Sequence, residues 1–307
     1  MIATATSLPT FLVVGAPRAA TTSLHYYLAQ HADVCMSTIK EPNYFLFDQE
    51  GDGRPFVVDD PRITAKSVSK PAAYAKLFPR AATAVGEASP LYLYTEQTPG
   101  LVSTTLPDVR IIAILRDPAE RALSHYSYMW DGGPADLIDG FKTAVHTELP
   151  LADSPYRPGT HNLRLGRYAA QLRRWRDVIA PDRLLVLDYR ELTGSPAATM
   201  RRVSEFLGVD RDFDFDVATH YNPSTGGSPA SLSGRLDRML RPAVPYLKRA
   251  LPAQVTGRLA HRRAKARAVV GESGPALPAS LLATLGDYYA TDIEWVRNEY
   301  GIELSAG

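Results

Sequence analysis

Runs of apolar residues bounded by turn formers recur along the chain: FLVVG at 11–15, the stretch 82–86, VRIIAIL at 109–115 and RLLVLD at 183–188. Uninterrupted runs of this length predict strands buried on both faces, as in a parallel sheet. Between them the apolar period lengthens to three or four residues. TSLHYYLAQ follows the first run and PAERALSHYSYMW the third, with Pro118 suited to a first helical turn. A helix is predicted over about 164–179, where Leu165, Tyr168, Leu172 and Trp175 share a face, and another over SPAATMRRVSEFLGV with Ser195 as its cap. A last helical pattern, PASLLATLGDYYATDIEWVRNEYG, carries Leu285, Tyr289, Ile293 and Trp295 for packing back on the rest. Strand–helix alternation predicts an α/β fold with a doubly wound parallel sheet flanked by helices. Ligands in such folds bind beyond the carboxyl ends of the strands.

At 307 residues the chain is ample for a sizeable core. We read it as a single domain over 1–307, with a core over about 10–230 and a helical C-terminal extension over about 231–307. A net charge of +1 excludes a molecule built as a whole to bind polyanions such as nucleic acid, so any anion site must be local. The single cysteine, Cys35, excludes an internal disulfide and a multi-cysteine metal site and fits a reducing compartment. The first residues, MIATATSLPT, lack a basic region and a long apolar run, so the expectation is a cytoplasmic protein without an integral membrane segment. Residues 48–70 and 149–163 read as acceptor-side loops, and 222–234 as a small-residue loop. Residues 235–267 hold ten Lys or Arg and one acid, Asp237. That segment reads as a solvated helical subdomain or as a basic flank for an anionic substrate or membrane surface.

The candidate chemistry begins where the first apolar run meets a helix, at VGAPRAATTSL. A strand entering a tight turn at a helix start aims several backbone N–H groups at one spot, where the helix dipole adds positive charge. The fold is therefore P-loop-like, but the loop differs from G-x-x-x-x-G-K-[ST]: Ala20, Thr21 and Thr22 follow Gly15 at the matching positions, and Thr21 fills the lysine slot. A triphosphate would be poorly neutralised there. The cation lies three residues earlier, at Arg18, while Thr21, Thr22 and Ser23 offer hydroxyls. The bland alternative is a helix start with a Ser/Thr cap. In LRDPAERALSHYSYMW, Arg116 leaves a strand and Ser124 lies two helical turns on, so both can reach one phosphate. Alternatively Arg116 pairs with Asp117 or Glu120. In IKEPNYFLF, aromatic packing is expected to desolvate Glu41 partly and raise its proton affinity, as a general base requires. A surface Lys40–Glu41 pair is the alternative.

Together these stretches resemble the sulfotransferases that use 3′-phosphoadenosine 5′-phosphosulfate (PAPS), in particular the heparan-sulfate-type and bacterial branch. The 5′-phosphosulfate loop is matched by Arg18-Ala19-Ala20-Thr21-Thr22-Ser23-Leu24, with Ala20 in place of a usual glycine. The 3′-phosphate motif is matched by Arg116-Asp117-Pro118 through Arg121, Ser124 and Tyr126. The K-E-P-x-[FY]-F signature appears as Lys40-Glu41-Pro42-Asn43-Tyr44-Phe45. GEASPLYL at 86–93 and GRYAAQLRRW at 166–175 are similar to further family blocks, with Ala88 where heparan-type enzymes often carry a lysine. The loop from His220 is similar to one that closes over the nucleotide.

The resemblance implies sulfuryl transfer from PAPS to an acceptor hydroxyl or amine, by in-line displacement and without a metal. It implies catalytic roles for Glu41, as base, and Arg18. It assigns nucleotide binding to Arg18, Ala19, Ala20, Thr21, Thr22, Ser23, Arg116, Ser124 and Tyr189. His125 is a second candidate base. The acceptor is expected to be a small molecule or a glycan- or lipid-like compound, with Tyr44, Phe45, Tyr92 and Tyr94 either lining its pocket or lying in the core; a homodimer is allowed. The rival readings are a P-loop nucleotide kinase or hydrolase and a non-catalytic adenosine-bisphosphate-binding protein.

Overall fold

A computed structural model describes residues 8–48, 53, 55–56, 66–130, 134–151, 161–218 and 277–304. The apolar runs pair as five parallel strands: β1 (Phe11–Gly15), β2 (Val34–Met36), β3 (Ala84–Ala88), β4 (Arg110–Leu115) and β5 (Leu184–Asp188). Their order across the sheet is β2-β3-β1-β4-β5. The chain adds strands on one side of β1, then crosses to the other side for β4. The carboxyl end of β1 thus lies at the switch point of the sheet, where a crevice opens between outgoing connections.

Helices flank the sheet: α1 (Thr21–Leu28), α2 (Pro71–Ala75), α3 (Thr98–Thr105), α4 (Pro118–Met129), α5 (Leu137–Glu148), α6 (Tyr168–Arg176), α7 (Tyr189–Gly194), α8 (Pro196–Leu207) and α9 (Ala279–Tyr300). The doubly wound α/β expectation holds. The main core gathers the strands with Leu24, Tyr27, Tyr168, Leu172, Trp175, Met200 and Val203. A second apolar cluster joins α4, α5 and α9 through Leu123, Phe141, Val145, Leu285 and Tyr289. Leu285 and Tyr289 of the last helix are buried as expected, Ile293 and Trp295 are partly buried, and Val296 reaches the main core.

Three local expectations need correction, and one strand was not predicted. The strand placed at 82–86 runs instead over Ala84–Ala88, with the charged Glu87 buried within it. The three-residue strand β2 was too short to show a pattern. The helix expected over 164–179 is a short 3₁₀ turn, Arg164–Gly166, followed by α6. Gly166 packs so tightly that a Cβ there would lie 2.9 Å from Pro118 and from the Tyr289 ring. The break frees the start of α6, where Asp292 of α9 accepts from Ala169 N at 2.8 Å and from Arg167 Nε at 2.7 Å. A buried carboxylate from another helix thereby satisfies a donor that the helix itself leaves open. Finally, Ser195 precedes α8 but its side chain makes no cap bond; Pro196 instead opens the helix.

The segments 222–234 and 235–267, and the extension before 277, lie outside the described residues, as do most of 48–70 and 149–163. Among the described residues, no helix is long and apolar enough to cross a membrane.

Candidate active site

β1 ends at Gly15 under the 90–93 turn. A Cβ at this position would stand 2.6 Å from Leu93 Cβ and 3.1 Å from the Pro90 carbonyl oxygen, so glycine is needed for the close approach. The chain then enters a turn in which Arg18 (φ 69) and Ala20 (φ 60) both take left-handed backbone. Ala20 sits at the N-cap of α1 and has no polar side chain with which to cap that end. The helix therefore starts without the Ser/Thr cap considered above. Thr21 and Ser23 are buried and Thr22 half-buried beside it.

The 116–124 motif meets this turn. Arg18 Nε donates to Ser124 Oγ at 3.1 Å, joining the turn after β1 to α4. Arg116 Nη1 lies 3.5 Å from the Arg18 carbonyl oxygen. Its guanidinium also bonds Glu120 Oε2, with Nε and Nη2 each at 3.1 Å, and lies 4.5 Å from the Tyr189 ring centroid. Tyr168 Oη donates to the Arg116 carbonyl at 2.9 Å. The ion-pair alternative for Arg116 is thus realised with Glu120, whose side chain is half-exposed, while Arg116 stays beside the Arg18 turn. Asp117 caps α4 instead, accepting from Glu120 N at 2.8 Å.

Positive charge is concentrated here. Burial lowers the proton affinity of Arg18; Tyr128, 4.9 Å below its guanidinium, opposes the shift, and Arg116 and Arg121 add to it. Arg121 is fully buried, with Nη2 bonded to the carbonyl and side chain of Asn162. Like charges crowded at a strand end are relieved by an anion, and the turn after β1 supplies backbone N–H groups for one.

Glu41 stands on a second turn, at the neighbouring strand end. Its N–H donates to the Ala88 carbonyl at 3.1 Å, and both Glu41 (φ 60) and Asn43 (φ 55) are left-handed. The expected desolvation of Glu41 by aromatic neighbours does not occur. Its side chain is 50% exposed and pairs with Lys40 Nζ. The aromatics turn the other way: Tyr44, Phe45 and Tyr92 are buried, and Tyr44 stacks on Tyr74 at 4.1 Å between centroids. These rings are core, while Tyr94 bonds His161.

The desolvated carboxylate is Glu87, which sequence reasoning passed over. It is 0% exposed, and burial pushes its carboxyl up to about 7 against the opposing pull of hydrogen bonds from Tyr92, Ser89 and Tyr74. The local hint was the spacing of Glu87, Ser89 and Tyr92 within one block. Among the described residues no three His, Cys, Asp or Glu side chains gather as a metal centre.

A cationic turn lies at the switch point of a parallel sheet and is joined by a hydrogen bond to a second arginine motif, an arrangement whose charge suits an anion. Residues 8–219 match the profile of the sulfotransferase domain, so the chain belongs to the sulfotransferase family. Mouse bifunctional heparan sulfate N-deacetylase/N-sulfotransferase 4 is 28% identical over 224 residues, which cover 71% of this chain and 24% of that protein. Human bifunctional heparan sulfate N-deacetylase/N-sulfotransferase 2 is 28% identical over 241 residues, covering 76% and 26% respectively. This chain spans about a quarter of the length of these relatives. A crystal structure of a sulfotransferase from Alicyclobacillus acidocaldarius has the same fold, with a TM-score of 0.66, 24% identity and 95% of both chains covered.

Proposed function

We propose that this enzyme moves the sulfuryl group of PAPS to an acceptor hydroxyl or amine, leaving adenosine 3′,5′-bisphosphate. The observation that carries the reading is the 3.1 Å bond from Arg18 Nε to Ser124 Oγ, which makes one cationic crevice of two motifs far apart in sequence. A nucleotide with phosphate groups at two positions suits two such motifs better than a triphosphate suits a loop without its lysine.

In this reading the turn of Arg18, Ala19 and Ala20 and the hydroxyls of Thr21, Thr22 and Ser23 hold the 5′-phosphosulfate. Arg116, Ser124 and Tyr189 hold the 3′-phosphate end, with Glu120 yielding Arg116 to the stronger anion. PAPS supplies the sulfuryl group in activated form. Arg18 stabilises charge on the departing phosphate oxygen, and the crevice keeps donor and acceptor in line. Glu41, half-exposed at the neighbouring strand end, is open to an acceptor and takes its proton. The acceptor is a small molecule or a glycan- or lipid-like compound, and the setting is the cytoplasm. The whole chain works as one domain, its last helix braced on α6 through Asp292, on α4 and α5 through Leu285 and Tyr289, and on the main core through Val296.

Incubation with PAPS labelled in the sulfuryl group and a panel of phenols, amino sugars and hydroxylated lipids tests the reading. Label is expected to pass to one acceptor class in wild-type protein and to fall roughly 10²–10⁴-fold in Glu41→Gln. Undiminished transfer by that variant would move the base elsewhere. Stabilisation by ATP with Mg²⁺ but not by adenosine 3′,5′-bisphosphate would replace the reading with that of a kinase.

A further inference from the structure

The geometry points to Glu87 as a positioning residue that holds the 41–45 turn, and with it Glu41, through the hydroxyls of Ser89 and Tyr92. The inference rests on Glu41 being the base. It also explains how a turn with two left-handed non-glycine residues keeps its shape.

Glu87 Oε2 accepts from Ser89 Oγ at 2.7 Å, and Oε1 accepts from Tyr92 Oη at 2.7 Å and Tyr74 Oη at 3.3 Å. Each hydroxyl has one proton to give. Because the carboxylate takes the protons of Ser89 and Tyr92, their lone pairs face outward. Ser89 Oγ then accepts from Asn43 N at 3.1 Å, and Tyr92 Oη accepts from Phe45 N at 3.2 Å. The Ala88 carbonyl takes Glu41 N at 3.1 Å. Three alternate N–H groups of the turn, at 41, 43 and 45, are thus bonded to the strand end that carries Glu87.

An ionised carboxylate only accepts, which is what fixes the direction of both hydroxyls. A side chain that donates on one side would turn one hydroxyl round and bring its proton against a backbone N–H. Left-handed φ is strained for residues other than glycine and persists only where its surroundings over-determine it. The three bonds provide that constraint at Glu41 and Asn43. A carboxylate fully buried in a strand is costly to keep, and burial accordingly raises its proton affinity. Lys40, the cation nearest this network in effect, lowers it.

Glu87→Gln is the test, with amide exchange resolved by NMR, calorimetry with adenosine 3′,5′-bisphosphate, and turnover on the acceptor returned by the labelled-sulfate panel. The expected result is faster exchange at Asn43 and Phe45, unchanged exchange in the 18–24 loop and nucleotide affinity within about twofold of wild type. Turnover is expected to fall roughly 10- to 100-fold at unchanged KM for PAPS, the scale of a misplaced reacting group. Glu41→Gln/Glu87→Gln should be no slower than Glu41→Gln alone, since Glu87 acts through Glu41. If Glu87→Gln does not fold, Ser89→Ala and Tyr92→Phe each remove one arm and carry the same readouts. Wild-type exchange at Asn43 and Phe45 in folded variants overturns the inference. Wild-type turnover in Glu41→Gln with fast exchange in Glu87→Gln instead retires the base assignment and leaves the clamp standing.

Discussion

Two turns stand at neighbouring strand ends, and both contain a pair of left-handed non-glycine residues two apart: Arg18 and Ala20 in one, Glu41 and Asn43 in the other. They are held in opposite ways. The first is secured by regular structure, with β1 entering, α1 leaving and a cationic cluster beside it. The second is followed only by a single 3₁₀ turn and depends on side chains, those of Glu87, Ser89 and Tyr92. A site for an anion can be built from backbone and arginine alone, because partial charges on N–H groups come with any helix start. A carboxylate held at one place and open to an acceptor needs a bespoke network.

Substitutions should separate the two turns. The largest effect is expected from Glu41→Gln: turnover lower by roughly 10²–10⁴-fold with affinity for adenosine 3′,5′-bisphosphate within about twofold, measured by labelled-sulfate transfer and calorimetry. Equal losses in both would mean that the second turn also binds nucleotide. Arg116→Ala reverses the pattern. It should weaken adenosine bisphosphate binding by about 1.5–3 kcal/mol, the scale of a charge-assisted hydrogen bond, and leave amide exchange of the 41–45 turn unchanged.

A pH series sharpens the difference in electrostatics. Glu87 is pushed up to about 7 from 4.5, chiefly by burial. The folded state therefore holds that proton more tightly than the unfolded state. Its contribution to stability is complete below about pH 4.5 and is lost as pH rises through about 7. The buried histidines act in the other direction. His25, pushed down to about 3, and His161, down to about 4, contribute above their unfolded value of 6.5 and lose it as pH falls. These, and Glu148, are common to wild type and Glu87→Gln. The stability of wild type minus that of the variant, from urea unfolding at pH 5 to 8, is expected to decrease as pH rises. A constant difference would contradict the buried carboxylate. The smallest effect is expected at Ala20→Gly, where relief of left-handed backbone should raise stability by about 0.5–1 kcal/mol; a loss measured by the same unfolding curves would show that the methyl group packs usefully.

The sequence made the first turn far more legible than the second. FLVVG, VRIIAIL and RLLVLD read as strands because buried parallel strands are continuous apolar runs, and Arg18, Arg116 and Ser124 stand out by type and spacing. Val34–Met36 is too short for any pattern, and the tight packing of Gly166 against Pro118 and Tyr289, which breaks the expected long helix, belongs to tertiary structure alone. Glu87 was hidden for a physical reason. A carboxylate in AVGEA looks like the end of a strand, and only the folded chain brings Tyr74 beside Ser89 and Tyr92 to make its burial tolerable. The same misjudgement placed the aromatic environment of KEPNYF around Glu41, whereas the rings pack inward and leave Glu41 half-exposed.

The central claim is that the turn after β1 and the arginine motif after β4 form one site for a nucleotide carrying both 5′- and 3′-phosphate groups. Calorimetry with adenosine 3′,5′-bisphosphate, adenosine 5′-monophosphate and ATP with Mg²⁺ tests it most directly. The account predicts tightest binding of the bisphosphate, with its advantage over the monophosphate lost in Arg116→Ala. Equal binding of the two adenosine phosphates, or a preference for ATP with Mg²⁺, would contradict it.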